Sequence, residues 1–174
     1  MKPVCLVIGA GAGIGGHVGK SFAMEGYHAC LCRRTDTDGL DTIVKDIETA
    51  GGSATGFMLN AIEENSIEDL VTNIESNVGP IEVAVYNLGA QIGDRTLKDT
   101  SYKAFERGWR MATFGLFRLA SALCPRMVQR GQGTLLVTSA TAAVRGNAGQ
   151  HSHAAAMGDT REITTNRRRL DQVW

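Results

Sequence analysis

The sequence predicts an α/β fold, a doubly wound parallel sheet with the strand order 3-2-1-4-5 and helices on both faces, three layers in all. Two observations predict it. Apolar runs alternate with amphipathic segments from the first residues onward, which is typical of successive βαβ units. A glycine-rich turn directly follows the first apolar run. The strand order follows if every crossover connection is right-handed.

Five strands and four helices are expected along the chain. The strands are placed at 3–8, 27–32, 54–59, 81–86 and 133–138, and the helices at 14–25, 40–50, 66–77 and 101–130. Pro125 falls within the last helix. Because proline lacks the amide hydrogen that a helix interior needs, it is expected to kink or end this helix.

Charge and cysteine usage exclude several classes of partner. The 18 basic and 18 acidic residues cancel, so no overall field attracts nucleic acid or an anionic membrane. The first apolar run, 4–8, is too short for a membrane span or a signal peptide, and a cytoplasmic protein is expected. Buried free thiols are favoured over redox or metal roles for the four cysteines, and no metal site is expected from the histidine spacing. These cysteines are Cys5, Cys30, Cys32 and Cys124.

The glycine-rich turn carries the first functional prediction. Glycine permits a tight turn and lets backbone amides approach a pyrophosphate, while the helix that follows directs its partially positive N-terminus at the anion. A strand before the turn, a helix after it and a second strand further on form the context of a dinucleotide-binding turn in a Rossmann-like fold. The residues expected to contact the cofactor here are Gly9, Gly11, Gly13, Ile14 and Gly15.

Two arginines at the end of the second strand predict which dinucleotide is bound. An NAD-selective domain usually carries an acid there, which accepts hydrogen bonds from the ribose hydroxyls. Here Arg33 and Arg34 occupy the place, and the first acid is Asp36. A guanidinium pairs well with the 2′-phosphate of NADP(H), so NADP(H) is favoured over NAD(H). The alternative is that both arginines are solvated residues at a strand end.

These motifs resemble the short-chain dehydrogenase/reductase family over about residues 3–158. The positions that match its glycine motif and its signature after strand four are Gly9, Gly13, Gly15, Asn87 and Gly89. Asn60 stands where the family usually has an aspartate that meets the adenine. The resemblance implies a nicotinamide cofactor, with Asn60, Asn87 and Gly89 among the residues that contact it.

The same resemblance implies four catalytic positions, and each carries another residue in this chain. In the family, a tyrosine transfers the proton at the substrate oxygen, a lysine lowers its pKa and holds the nicotinamide ribose, a serine orients the substrate, and an asparagine supports a proton relay. The aligned residues are, in that order, His153, Met157, Ala140 and Ala112. Imidazole exchanges protons at neutral pH, so His153 is a candidate acid. Ser139 and Thr141 are candidates for the serine role.

The expected function is that of an NADP(H)-binding oxidoreductase, which transfers hydride between the nicotinamide and a carbonyl or alcohol carbon of a small molecule. The alternative is a noncatalytic nucleotide-binding or protein-interaction module, because Met157 has neither the charge nor the donor of a lysine. A third hypothesis is that the chain folds poorly and has no function of its own. The chain is expected to form a homo-oligomer through the long helix at 101–130, since the apolar face of this helix would otherwise be exposed.

The domain organisation predicted on this basis has two parts. Residues 1–158 are assigned to an NAD(P)-binding domain of this family, without its C-terminal strands. The polar segment 159–174, which contains an arginine run at 167–169, is expected to be a divergent, disordered tail in place of the substrate lid.

Overall fold

The structure is a computed structural model that describes residues 2–89, 96–146 and 149–165. Two compact units are present, one formed by 1–87 with 119–136 and the other by 88–118 with 137–174.

The sheet has five strands in the order β3-β2-β1-β4-β5. They are β1 Val4–Ile8, β2 His28–Arg33, β3 Ser53–Met58, β4 Ile81–Tyr86 and β5 Thr134–Val137. The central strand β1 is parallel to both neighbours, with Leu6 beside Cys30 of β2 and Ala84 of β4. All of β1 is buried, as expected for a parallel strand covered on both faces. The predicted fold class and strand order are confirmed.

Three helices of the first unit alternate with these strands, namely α1 Ile14–Met24, α2 Thr37–Thr49 and α3 Ser66–Asn77. The core between the sheet and the first two helices includes Ala23 of α1 and Leu40 and Ile47 of α2. Helix α2 begins before the predicted position 40, because Asp36 caps it. The carboxylate of Asp36 accepts a hydrogen bond from the amide of Gly39 at 2.9 Å, and such a cap satisfies one of the free amides of a helix start.

An ion pair between Arg130 and Glu75 lies beside the start of β4 in the first unit. Nη1 of Arg130 donates to both carboxylate oxygens of Glu75, at 3.0 and 2.9 Å. The backbone amide of Ile81 donates to the same carboxylate at 2.8 Å, and Nη2 of Arg130 donates to the Ile81 carbonyl. Both charged side chains are largely buried, so this pair fixes the end of α3 against the start of β4.

The predicted helix 101–130 is divided into three parts. Helix α4 spans Tyr102–Trp109, a π-helical turn follows at Arg110–Phe114, and α5 spans Gly115–Gln129. The hydroxyl of Ser101 caps α4 by accepting a hydrogen bond from the amide of Ala104 at 3.2 Å. Pro125 lies inside α5, which continues to Gln129, so the proline does not end the helix.

Two further helices complete the second unit, α6 Ala142–Arg145 and α7 His151–Thr165. Residues 159–165, which the sequence analysis assigned to a disordered tail, continue α7. Asp159 anchors this part of the helix, because its carboxylate accepts a hydrogen bond from Nε1 of Trp109 at 3.1 Å. Within the helix, the hydroxyl of Thr160 donates to the Met157 carbonyl at 2.8 Å. The arginine run at 167–169 lies outside the described residues, and the domain division stays a prediction.

All four cysteines are free and buried, which confirms their predicted state. Burial, together with the thiol of Cys30, raises the pKa of Cys5 to about 12. Burial raises the pKa of Cys30 to about 12 as well, and that of Cys32 above its ordinary value. These thiols are therefore not nucleophiles at neutral pH. Among the described helices, none is long and apolar enough to cross a membrane.

Candidate functional site

The glycine turn between β1 and α1 is closed by backbone contacts. Gly9 has a φ of 98°, in the region that favours glycine, and the amides of Gly9 and Ala10 both donate to the Cys32 carbonyl, at 3.0 and 2.9 Å. A Cβ on Gly15 would overlap the carbonyl oxygen of Gly9 and lie 2.9 Å from Nδ2 of Asn87. The turn therefore requires glycine at both positions.

The start of α1 is open toward a ligand. A Cβ on Gly11 or Gly13 would have no neighbour within 4 Å in the described part of the chain. Gly13 is the N-cap residue, and within the same residues no side chain caps the helix and no acid occupies its first turn. Ile14 is exposed. Free amides at the positive end of a helix fit a pyrophosphate, so the predicted turn residues fit a dinucleotide.

Two asparagines predicted as cofactor contacts are engaged with the protein. Nδ2 of Asn87 donates to the Gly9 carbonyl at 2.9 Å, and its backbone amide donates to the Ile8 carbonyl at 2.8 Å. Asn87 therefore braces the glycine turn, a role that the sequence analysis did not find. Nδ2 of Asn60 donates to the carboxylate of Glu63 at 2.8 Å. These contacts hold both side chains in place next to the strand ends.

A cleft of about 380 Å³ adjoins the glycine turn. Residues from α1, from the end of β2 and from α2 line it, among them Gly16, Lys20, Arg33 and Ile43. Glycine is required at position 16, since a Cβ there would lie 2.5 Å from the Gly11 carbonyl oxygen and 3.2 Å from Cδ1 of Ile43. Arg34 is exposed and is not among the lining residues. The guanidinium that faces this cleft is thus that of Arg33.

The Arg33 side chain is held by an acid that the sequence analysis noted only as the first one after β2. Nη2 of Arg33 lies 2.7 Å from Oδ2 of Asp36, and the arginine side chain is only 24% exposed. The carboxylate that caps α2 therefore also orients the guanidinium.

The second unit holds the residues aligned with the family's catalytic positions. Ala112 and Met157 are buried in one apolar cluster, and Ala140 packs against it. The cluster also includes Ala156, and Ala143 packs against it. These positions are up to 45 residues apart in sequence, from Ala112 to Met157, and meet in space. Their side chains, however, offer no hydrogen-bond donor or charge.

His153 lies near this cluster in sequence, on the first turn of α7. Its imidazole is half-buried, and among the described residues its Nδ1 is enclosed without a hydrogen-bond partner. Its Cε1 would lie 3.8 Å from a Cβ placed on Gly89, so the two predicted site residues are neighbours. Ser139 and Thr141 are exposed in the segment after β5.

The π-helical turn contributes a contact that the sequence analysis missed. The buried hydroxyl of Thr113 donates to the Ala156 carbonyl of α7 at 3.1 Å. This bond joins the turn that carries Ala112 to the helix that carries His153 and Met157. Within the described residues, no group of three or more histidines, cysteines or acids could hold a metal ion.

The five-stranded sheet and the glycine turn define a Rossmann-like α/β protein. The short chain dehydrogenase family matches residues 3–169, and the chain belongs to this family. The 3-oxoacyl-[acyl-carrier-protein] reductase FabG of Thermotoga maritima is 28% identical over 153 residues, which cover 88% of this chain and 61% of that protein. The short-chain reductase NovJ of Streptomyces niveus is 32% identical over 157 residues, which cover 90% and 59%. The chain thus spans about 60% of the length of these relatives.

Solved structures share the fold. A short-chain dehydrogenase from Rhodopseudomonas palustris is 31% identical, with a TM-score of 0.90 over 97% of this chain and 78% of that one. A metagenomic short-chain oxidoreductase in complex with NADP has a TM-score of 0.90 at 22% identity, over 98% and 77% of the two chains. A 7α-hydroxysteroid dehydrogenase complexed with NADH has a TM-score of 0.87 at 24% identity, over 95% and 65%. The last two show a shared fold alone, and they hold different dinucleotides.

Proposed function

We propose that the chain binds NADP(H) in preference to NAD(H), and that it is an oxidoreductase acting on a small carbonyl or alcohol compound. The observation that carries this proposal is the Arg33 guanidinium in a cleft beside the uncapped start of α1. A planar guanidinium binds a phosphate through two parallel hydrogen bonds. In the same place, an uncapped helix start binds a pyrophosphate.

Each group of the glycine turn and cleft has an assigned task. The amides at the start of α1 hold the pyrophosphate, and Arg33 pairs with the 2′-phosphate of the adenosine. Asn87 keeps the turn in shape through its bond to Gly9. Arg34, Asn60 and Gly89 stay predicted contacts of the cofactor. The bound nicotinamide supplies or accepts the hydride.

His153 is assigned as the acid that gives the proton to the substrate oxygen, or accepts it in the reverse direction. Support comes from its place beside Gly89 and from a buried Nδ1 without a partner in the described residues. Ser139 and Thr141, both exposed, are assigned to orient the oxygen. The test is NADPH oxidation with a panel of ketones and aldehydes. His153→Ala should lower turnover at least about a hundredfold while NADPH binding stays unchanged, and equal turnover would refute this role.

A second candidate function is favoured by the cluster of Ala112, Ala140 and Met157. Because these side chains have no donors or charges, the family's proton relay has no counterpart there. The chain would then be a noncatalytic nucleotide-binding or interaction module. Saturable NADPH binding without turnover of any carbonyl in the panel would support this candidate. Turnover that His153→Ala abolishes would refute it.

Self-association is proposed through the aromatic side chains of α4, the π-helical turn and α5. The Trp109 and Phe114 rings stack with their centroids 5.6 Å apart, and Phe114 and Phe117 at 6.3 Å. All three are exposed, Phe117 by 54%, and exposed aromatic groups of this kind commonly mark interfaces. Sedimentation of the wild-type chain as a dimer, and of Phe117→Glu as a monomer, would support this assignment. A wild-type monomer would refute it.

The cytoplasmic location also stays a proposal, supported by four free, buried cysteines.

A further inference from the structure

The carboxylate of Asp36 lies in the same cleft as Arg33, and both of its oxygens are engaged. Oδ2 is 2.7 Å from Nη2 of Arg33, and Oδ1 accepts the hydrogen bond from the Gly39 amide at 2.9 Å. The carboxylate therefore cannot turn away from the guanidinium without uncapping α2.

Local backbone geometry keeps the acid in this position. Asp36 has a φ of 65°, a left-handed conformation that Asp and Asn adopt more readily than other residues with a side chain. A Cβ on Gly39 would lie 2.5 Å from both Nη1 of Arg33 and Oδ2 of Asp36. Arg33, Asp36 and Gly39 are thus packed closely together. Any ligand of Arg33 therefore meets the Asp36 carboxylate beside it.

Among the described residues that line the cleft, positive and negative charges are balanced. Lys20 and Arg33 contribute two cations, whereas Asp36 and Asp46 contribute two carboxylates. His17 also lines the cleft, with Nδ1 3.0 Å from the Gly13 carbonyl. A cleft that binds only a dianion is expected to carry an excess of positive charge. In this cleft, the Asp36 carboxylate neutralises Arg33, the residue best placed to bind a phosphate.

We propose that Asp36 is a specificity-determining residue. Its negative charge offsets the positive charge of the Arg33 guanidinium and repels the 2′-phosphate. This weakens the preference for NADP(H) and lets the cleft accept NAD(H) as well. This inference rests on the proposed function and deepens it.

The test compares two probes, 5′-AMP and 2′,5′-ADP, which share the adenosine 5′-phosphate and differ only in the 2′-phosphate. The ratio of their dissociation constants isolates the contribution of the 2′-phosphate. In Asp36→Asn, an amide oxygen can still cap α2, but the charge is gone. The ratio is expected to rise about three- to tenfold in favour of 2′,5′-ADP, the size of a screened repulsion between a carboxylate and a dianion several ångströms apart.

The matched control is Asp38→Asn. Asp38 lies in the first turn of α2, is exposed, and is not among the cleft residues, so the variant changes the net charge equally. Its ratio should change less than about twofold. Asp36→Gly gives a second variant without the charge, since glycine accepts both the left-handed backbone and the cap position. Melting curves verify that each variant is folded.

Each outcome bears on one claim. An unchanged ratio in both Asp36 variants would overturn the inference, and so would a ratio that falls, because the carboxylate would then be assisting Arg33. An equal rise in Asp38→Asn would also overturn it, since net charge alone would explain the effect. If the wild-type chain binds neither probe, the proposed function itself fails, and the inference fails with it.

Discussion

Replacing Gly15 by alanine should disturb the glycine turn before any ligand is bound. The added Cβ would overlap the Gly9 carbonyl oxygen and lie 2.9 Å from Nδ2 of Asn87. Neither neighbour can move freely, because Gly9 is tied to Cys32 through its amide and Asn87 is tied to Ile8. The hydrogen bond from Asn87 to Gly9 is therefore the contact that must lengthen or break.

The expected loss of stability follows from three contributions. Overpacking at a rigid site costs about 1–3 kcal/mol, and the lost hydrogen bond adds about 1 kcal/mol. Alanine is favoured over glycine by about 1 kcal/mol in a helix, which offsets part of this. The net loss is about 1–3 kcal/mol, and each kcal/mol lowers the midpoint of a domain of this size by about 2–4 °C.

Thermal and urea unfolding of the chain without cofactor measure this loss directly. Gly11→Ala is the matched control, since its Cβ would have no neighbour within 4 Å in the described residues, and it should unfold within about 0.5 kcal/mol of the wild type. Both variants should bind NADPH more weakly. Gly15→Ala displaces the Gly9 carbonyl and Asn87, whereas the methyl group of Gly11→Ala occupies the open space beside the turn where the cofactor is proposed to bind. A Gly15→Ala chain as stable as Gly11→Ala would refute the account of the turn.

Three further predictions concern the rest of the molecule. Glu75→Ala should lower the free energy of unfolding by about 2–4 kcal/mol in urea unfolding, because it leaves a largely buried guanidinium without its carboxylate partner. Removal of Glu106, which forms an exposed pair at 3.7 Å, should cost under about 0.5 kcal/mol in the same assay. Since burial raises the pKa of Cys5 and Cys30 from 9.0 to about 12, the unfolded chain loses thiol protons that the folded chain keeps. Stability should therefore fall from pH 9 toward pH 12, with a shallower slope in Cys5→Ala; an equal slope would contradict this. Met157→Lys introduces the lysine that the resemblance implies for this position. Because it places a charge at a site only 2% exposed, it should destabilise the chain by about 3 kcal/mol or more, and a variant with wild-type stability would show that the position is not enclosed.

Most of the fold could be predicted because it depends on local patterns. Strand β4 and helix α3 lie where the sequence placed them, since each is a clear apolar run or stripe between turn residues. The start of α2 was missed because it depends on the left-handed backbone of Asp36, which the apolar pattern does not reveal. The π-helical turn was missed because it is accompanied by a hydrogen bond between residues far apart in sequence, from Thr113 to Ala156. A local sequence pattern does not reveal such a bond.

The candidate site was predictable to a similar extent. The glycine turn has a local signature, and its geometry matches that expectation at Gly9 and Gly15. The bracing role of Asn87 was not predictable from spacing, since its partner Gly9 is 78 residues away. The ion pair between Arg33 and Asp36 joins residues only three apart. A strand-end arginine followed by a capping acid could have indicated it.

The most direct test of the central claim is the unfolding temperature of the chain with NADPH and, separately, with NADH. A ligand that binds only the folded state adds about 2.7 kcal/mol at a hundred times its dissociation constant, which would raise the midpoint by several degrees. The account predicts a rise with both cofactors, larger with NADPH at equal concentration, and no such difference in Arg33→Gln. A cooperative transition that neither cofactor moves would contradict it.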